Sequence, residues 1–401
     1  MILALVMALA LVACGNKNTD DGKKDGDNQG NTPTVITNPD EVQDEMTSSD
    51  GKYEVAFVTD VGQLKDKSFN QGTYDGVKLY AANNNLSYKY YQPANGSEAT
   101  DDDRFAAMKA AVDNGAKVVV CAGYLQEAAL RMAAKQFTDV SFVFIDGYPV
   151  GEEADVKDSP ALKNIAGVAF KEEQCGYLAG YAVVKEGYTK LGFTGGGGGN
   201  NPACCRYGYG FVQGADAAAV EMGIADQVVM EYAYGNQFYG DSDITAYMDN
   251  WYQTLGVEVV FASGGGIYTS AAEAAAKVGG KLIGVDVDQS ANIDTYGEGM
   301  CVTSAMKGLA ETVKHMLGEV VAGNFANYGG QVETLGLVNG DDPTANYVQL
   351  PMETTQWGDG FTQDDYKALV KAMYDGDVTV SNDISAMPAT TITVNFAGNI
   401  K

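Results

Sequence analysis

The chain has 401 residues, 45% of them hydrophobic, with 53 acidic against 26 basic side chains and a formal net charge of -27. That length suffices for two packed α/β lobes or a two-domain protein. A surface this acidic repels phosphate backbones, which argues against nucleic acid as a partner and against a free anionic ligand unless the cleft is locally basic. The single histidine, His315, sits in a helical pattern, and one imidazole leaves almost no material for a Ser-His-Asp triad or a multi-histidine metal site.

Residues 1–13 form an unbroken apolar run. Such a run is too short for a bilayer, which takes ~20 residues, and it fits the apolar region of a signal peptide. It ends Leu11-Val12-Ala13-Cys14-Gly15, which is similar to a bacterial lipobox, so Cys14 is the expected lipidated residue and the membrane the expected anchor. No Lys or Arg precedes the run, which places the expected start codon upstream. From Gly15 to about Lys52 the chain is rich in Asn, Asp, Gly, Lys, Thr and Ser, and the segment is expected to be a disordered tether.

From Tyr53 onward strand and helix patterns alternate. The strand runs are Val55–Thr59, Val118–Ala122, Phe142–Asp146, Ile165–Phe170, Leu191–Thr194, Val257–Ala262 and Leu282–Val285. Several are continuously apolar, as strands covered on both faces are. Helical patterns fall at Asn70–Asn84, Asp102–Asn114, Glu172–Lys185, Tyr207–Met222, Tyr268–Val278 and Ala305–Val321. Repeated βα units imply parallel sheets with right-handed crossovers, and their number implies two sheets, one per lobe. The expected division is 53–163 plus about 301–325 for the first lobe, 164–298 for the second, and 326–401 completing both with short strands near Thr391–Phe396 and a helix near Gln363–Tyr374. Beyond Cys14 there are five cysteines. That odd number argues against a closed disulfide framework, and Cys121, Cys175 and Cys301 read as small core residues. Cys204-Cys205 lie beside a glycine-rich run, without the spacing or histidines of a metal site.

Open parallel sheets bind ligands at the carboxyl ends of their strands. The informative loops are therefore Asp60–Asn70, Gly123–Glu127, Gly195–Tyr207, Ser263–Tyr268 and Asp286–Gln289. Asp60 stands at a strand tip, and Ser68 is placed to cap the next helix. Phe69 and Asn70 fall in that helix's first turn, where Phe69 either stacks on a ligand or packs beneath the loop. Gly264-Gly265-Gly266 admits two readings, a close backbone approach to ligand or a turn needing positive φ. The Gly195–Gly199 run lacks the Gly-Lys-Ser/Thr of a phosphate-binding loop and reads as a flexible cleft-edge loop.

Five collinear segments carry a resemblance. Residues 55–81, VAFVTDVGQLKDKSFNQGTYDGVKLYA, resemble the opening strand, loop and helix of the basic membrane protein family, which includes the bacterial purine nucleoside receptor lipoproteins. Asn164–Tyr181, Lys190–Gly196 with Arg206–Phe211, Ile283–Gln289 and Thr303–Lys307 resemble its later elements in order and at sensible spacing. The resemblance implies a type I periplasmic-binding-protein fold, with two doubly wound lobes joined by a hinge, and a nucleoside-like small molecule between them. It also implies a lipid anchor on the extracytoplasmic face, ABC permease and ATPase partners, no cofactor and no catalytic role; a monomer is expected. Carried over residue by residue, Phe69 and Tyr207 sandwich the base, Asp286 accepts ribose hydroxyls, Asp60 and Lys307 lie nearby, and Asn70 offers both donor and acceptor. Gly264 completes the implied binding set, and either Gln126 or Glu127 would read the base. A sensory lipoprotein and a nucleoside-acting enzyme are the alternatives. The enzyme would need clustered aspartates for Ca²⁺, and Asp286-Val-Asp288 is too sparse.

Overall fold

The computed structural model describes residues 35–61, 63–154, 156 and 158–400, so the apolar leader, Cys14 and most of the expected tether lie outside the described residues. From Val55 the elements run β1 (Val55–Val58), α1 (Phe69–Asn83), β2 (Tyr88–Tyr91), α2 (Asp101–Asp113), β3 (Val118–Ala122), α3 (Glu127–Gln136), β4 (Ser141–Ile145) and β5 (Ile165–Phe170). Then come α4 (Glu172–Lys185), β6 (Lys190–Gly195), α5 (Pro202–Met222), β7 (Val229–Tyr234), α6 (Ser242–Asn250), β8 (Val259–Ser263), α7 (Tyr268–Ala276) and β9 (Lys281–Asp286). The chain ends with α8 (Ser290–Ile293), β10 (Cys301–Lys307), α9 (Leu309–Val321), β11 (Val332–Leu335), β12 (Val348–Gln349), α10 (Gln363–Asp375) and β13 (Thr393–Asn399).

The strands form two sheets, ordered β11-β5-β4-β3-β1-β2 and β12-β10-β9-β8-β6-β7-β13. All pairings are parallel except β10 with β12. Every residue of β1, β3, β5 and β8 is buried, which is why these strands read as unbroken apolar runs. One apolar cluster continues from the first sheet to the second through α1, α4, α5 and α9; two others cover the remaining faces. Helix starts follow local chemistry. Thr100 and Asp103 close a capping box on α2, whose first turn carries Asp101, Asp102 and Asp103 at the positive end of the helix dipole.

Helices α4 and α5 cross with almost no side chain between them. A Cβ added at Gly176 would lie 2.1 Å from the Tyr207 carbonyl oxygen, and one at Gly180 2.2 Å from that of Phe211. In return, a Cβ at Gly210 would meet the Glu173 carbonyl at 2.2 Å and one at Gly214 that of Tyr177 at 2.0 Å. Two glycines four residues apart on each helix therefore set the seam.

Several expectations are corrected. β5 pairs with β4 and β11 in the first sheet, so that sheet extends past Lys163 to Phe170. Cys301–Lys307 is a strand of the second sheet beside β9; only α9 returns to pack on α1, where a Cβ at Gly76 would stand 2.7 Å from the Ala310 carbonyl. Reading Ala305–Val321 as one helix merged a strand end with the helix after it. Residues 36–52 are not free tether. Pro39–Glu41 makes a 3-10 turn, Met46 bridges Tyr88, Tyr88 donates to the Gln43 carbonyl at 2.7 Å, and Tyr74 donates to that of Asp44. The Asp44 carboxylate also pairs with Lys65 at 2.9 Å and Lys78 at 3.6 Å. This strap is held mainly by backbone acceptors and charge, which composition does not reveal. α5 begins at Pro202, with Asn201 accepting from the Cys204 amide at 2.9 Å, so Cys204-Cys205 occupy a first helical turn rather than a loop. All five described cysteines are free and buried.

Candidate functional site

The carboxyl ends of the central strands of both sheets meet at a cavity of about 400 Å³. The first sheet and its helices contribute Asp60, Phe69, Asn70 and Asp146; the second contributes Tyr207, Phe238, Ser263, Gly264, Asp286 and Lys307. All seven sequence candidates thus lie on one wall-to-wall surface.

The first loop is organised by a residue that the sequence reading passed over. Asp66 accepts the amides of Ser68 at 2.9 Å, Asn70 at 2.9 Å and Gln71 at 3.1 Å, capping α1 in place of Ser68. The Ser68 hydroxyl donates instead to Asp286 Oδ2 at 2.6 Å. Asp60 accepts from the Val61 amide at 2.8 Å and from Asn70 Nδ2 at 3.3 Å. Burial pushes the carboxyls of Asp60 and Asp66 up to about 6. Asn70 Oδ1 and Ser263 Oγ are buried with no hydrogen-bond partner among the described residues, so the cavity wall holds unused acceptor and donor capacity.

The centre of the site is ionic. Lys307 Nζ lies 2.6 Å from Asp146 Oδ2, 3.5 Å from Glu172 Oε1 and 3.5 Å from Asp286 Oδ1. The same ammonium stands 4.8, 5.4 and 5.6 Å from the ring centres of Phe69, Phe170 and Tyr207. Burial opposes its charge, but the three carboxylates outweigh that and hold its pKa above the ordinary lysine value. Asp146, buried and only partly compensated by Lys307, is pushed up to about 6. Glu172 also takes Arg206 Nε at 2.6 Å, and Arg206 Nη1 donates to the Tyr148 hydroxyl at 3.0 Å. Asp146 and Asp286 both adopt left-handed backbone, φ 57° and 67°, at the tips of β4 and β9. Two cations face Asp146, Glu172, Glu173 and Asp286, with Asp60 close by, so the cavity offers no excess positive charge to a phosphate.

Tyr207 is only 1% exposed; its hydroxyl donates to the Ala305 carbonyl at 3.2 Å and its ring meets Phe261 edge-on. Phe69 and Phe238, by contrast, are half-buried. Gly264 has φ 140°, the positive φ of the turn reading, and it lines the cavity. Neither candidate base reader after β3 lines the cavity: Gln126 is buried and donates to the Val58 carbonyl at 3.0 Å, and Glu127 is exposed and pairs with Arg131 at 2.8 Å. Asp146 was detectable, since it ends an apolar strand just as Asp60 and Asp286 do. Phe238 was lost because β7 alternates and went unrecognised, and its loop with it. Among the described residues no group of His, Cys, Asp or Glu is disposed to hold a metal ion.

Two parallel α/β sheets whose strand ends share one cavity define a two-lobed solute-binding protein of the type I periplasmic class. A family model described as ABC transporter substrate-binding protein PnrA-like (Bmp) matches residues 53–341, and the chain belongs to this family. It is therefore a substrate-binding protein of ABC transport rather than an enzyme, working with permease and ATPase subunits on a small-molecule ligand. The ABC transporter nucleoside-binding protein BmpA of Lactococcus lactis subsp. cremoris is 27% identical over 303 residues, 71% of this chain and 79% of that protein. Basic membrane protein B of Borreliella burgdorferi is 27% identical over 306 residues, 74% and 81% of the two chains. The fold is shared with a solute-binding protein of an ABC transporter system from Aeropyrum pernix K1, at TM-score 0.60 and 21% identity over 83% of this chain and 88% of that one.

Proposed function

We propose that the cavity binds a purine nucleoside, delivered to an importer from a lipid-anchored position on the extracytoplasmic face of the membrane. The observation that carries the reading is the pairing of two half-buried phenylalanines from different sheets, Phe69 and Phe238, with a buried carboxylate at a strand tip, Asp286. The two rings flank the base, each stacked face contributing about 1–3 kcal/mol. Tyr207, pinned by its hydroxyl, forms the floor beneath them. Asp286 accepts the ribose hydroxyls, with Lys307 beside it, and Asn70 and Asp60 face the base edge with acceptors suited to ring N–H groups. The nucleoside-binding name of the Lactococcus relative supports the same ligand class. The anchor is assigned to Cys14, on the strength of the apolar run ending Ala13-Cys14-Gly15.

Mass spectrometry of small molecules extracted from the purified protein tests the ligand, with a purine nucleoside expected. A sugar, or any solute without a nucleobase, overturns the reading. Cys14→Ser is expected to release the protein to soluble fractions or leave it as precursor; normal membrane retention of a processed variant overturns the anchor.

A further inference from the structure

Ser68 lies outside the cavity wall yet touches its most consequential carboxylate. The side chain is fully buried and has been freed from helix capping by Asp66, which takes the first-turn amides. Its hydroxyl donates to Asp286 Oδ2 at 2.6 Å, across a gap of 218 residues and from the first half of the fold to the second. The adjacent residue makes a parallel link: the Lys67 carbonyl accepts from Gln289 Nε2 at 2.9 Å. Gln289, also fully buried, is itself immobilised, its Oε1 taking the Val285 amide at 2.9 Å and its own amide donating to Ser304 Oγ at 3.1 Å. The loop after β1 is thus stitched to the tip of β9 by hydrogen bonds from neighbouring residues.

We propose that Ser68 is a positioning residue for ligand recognition: its hydroxyl, acting from behind the cavity, fixes the Asp286 carboxylate in the orientation that meets a ribose diol. This rests on the ribose role assigned to Asp286 above. A carboxylate accepts at about four positions. Ser68 on Oδ2 and Lys307 on Oδ1 occupy one on each oxygen, which leaves acceptor capacity on a carboxylate that lines the cavity. An O–H donor to a charged oxygen at this distance belongs to the strong class of hydrogen bond, so the orientation is held firmly. Without the hydroxyl the carboxylate turns toward Lys307 alone and the diol loses its geometry, while base stacking is untouched.

The test compares inosine with 2′,3′-dideoxyinosine by calorimetry on the full chain. Ser68→Ala is expected to weaken inosine binding roughly 10- to 150-fold and to leave dideoxyinosine within about twofold. Ser68→Cys, nearly isosteric with a weak donor, is expected to fall between. In an Asp286→Asn background Ser68→Ala is expected to add little. Equal weakening of both nucleosides would reduce Ser68 to general structure and overturn the proposal. So would an unchanged inosine affinity in a wild type that discriminates the two ligands, and that result sinks Ser68 alone. If wild type binds both nucleosides alike, the ribose assignment of Asp286 fails first and the role of Ser68 with it.

Discussion

At Asp286 a strained backbone, a buried charge and a cross-sheet hydrogen bond coincide. Left-handed φ at a non-glycine residue is kept only where the surroundings over-determine it. Here the residue ends β9 so that its carboxylate reaches both Lys307 and the cavity. Asp286→Ala is expected to weaken nucleoside binding roughly 10- to 150-fold per hydrogen bond lost, with adenine itself nearly unaffected. Calorimetry with adenosine, inosine and adenine reads the difference; wild-type affinity for every nucleoside in a folded Asp286→Ala protein ends the ribose assignment. The aromatic faces divide differently. Phe69→Ala and Phe238→Ala are each expected to weaken nucleoside and nucleobase alike, by about 1–3 kcal/mol. Tyr207→Phe keeps the ring and removes only the bond to Ala305, so a small effect on affinity is expected there. A larger loss at Tyr207 than at Phe238 would return the second face to Tyr207. The post-strand rule made Asp60, Asp286 and the Phe69-Asn70 turn legible in the sequence. It failed at Asp146 because it was not applied to the loop after β4. It could not reach Ser68 or Asp66, whose roles depend on which of two oxygens near one helix start takes the amides.

Among the elements, those covered on both faces were the ones the sequence announced. β3 and β5 were read to the residue because nothing polar interrupts them. β2 and β11 stand at sheet edges and β12 is two residues long; half-exposed strands mix polar with apolar residues and imitate loops, and of the edge strands only β13 left a pattern, at Thr391–Phe396. The strap at 36–52 was missed for a related reason: its partners are tyrosine hydroxyls seeking backbone oxygen, a pairing that leaves no periodic trace. A chain truncated to begin at Tyr53 would leave the Tyr74 and Tyr88 hydroxyls without those carbonyls. A lower thermal midpoint than that of a chain beginning at Ile36 is expected, and equal midpoints would show the strap to be inert. The α4–α5 seam is the most sensitive element contact. Gly214→Ala drives a methyl onto the Tyr177 carbonyl and is expected to cost about 1–3 kcal/mol in a denaturant titration. Binding should weaken as well, since the N-terminal ends of these helices hold Glu172 and Arg206. Unchanged stability would mean that the helices can separate freely.

For the molecule as a whole, the buried carboxylates set an unusual pH dependence. Asp60, Asp66 and Asp146 have folded values near 6, against an ordinary aspartate value of about 3.9. The folded form therefore prefers their protonated state; the stabilisation is fully present below about 4 and is lost as pH rises through about 6. Reduced self-repulsion in a chain of net charge -27 acts in the same direction. The thermal midpoint is expected to rise as pH is lowered from 7 to 5, and a flat or falling midpoint across that window would contradict the burial of these groups. The chain also passes between the two sheets three times: from β5 to β6, from β10 to β11, and from β11 to β12. The division by sequence blocks failed at its joins, where β5 stays in the first sheet and β10 in the second, whereas the interleaving itself gives the first sheet its last strand from residues 332–335. It has a consequence for how the protein is made. When β5 leaves the ribosome the edge awaiting β11 is bare, and at typical elongation rates it stays so for about 10–30 s while the second half is synthesised. Neither half is a finished product before the other is nearly complete, so folding belongs to the released chain rather than the growing one, and stalled nascent chains shorter than about 335 residues should remain open to protease in both halves.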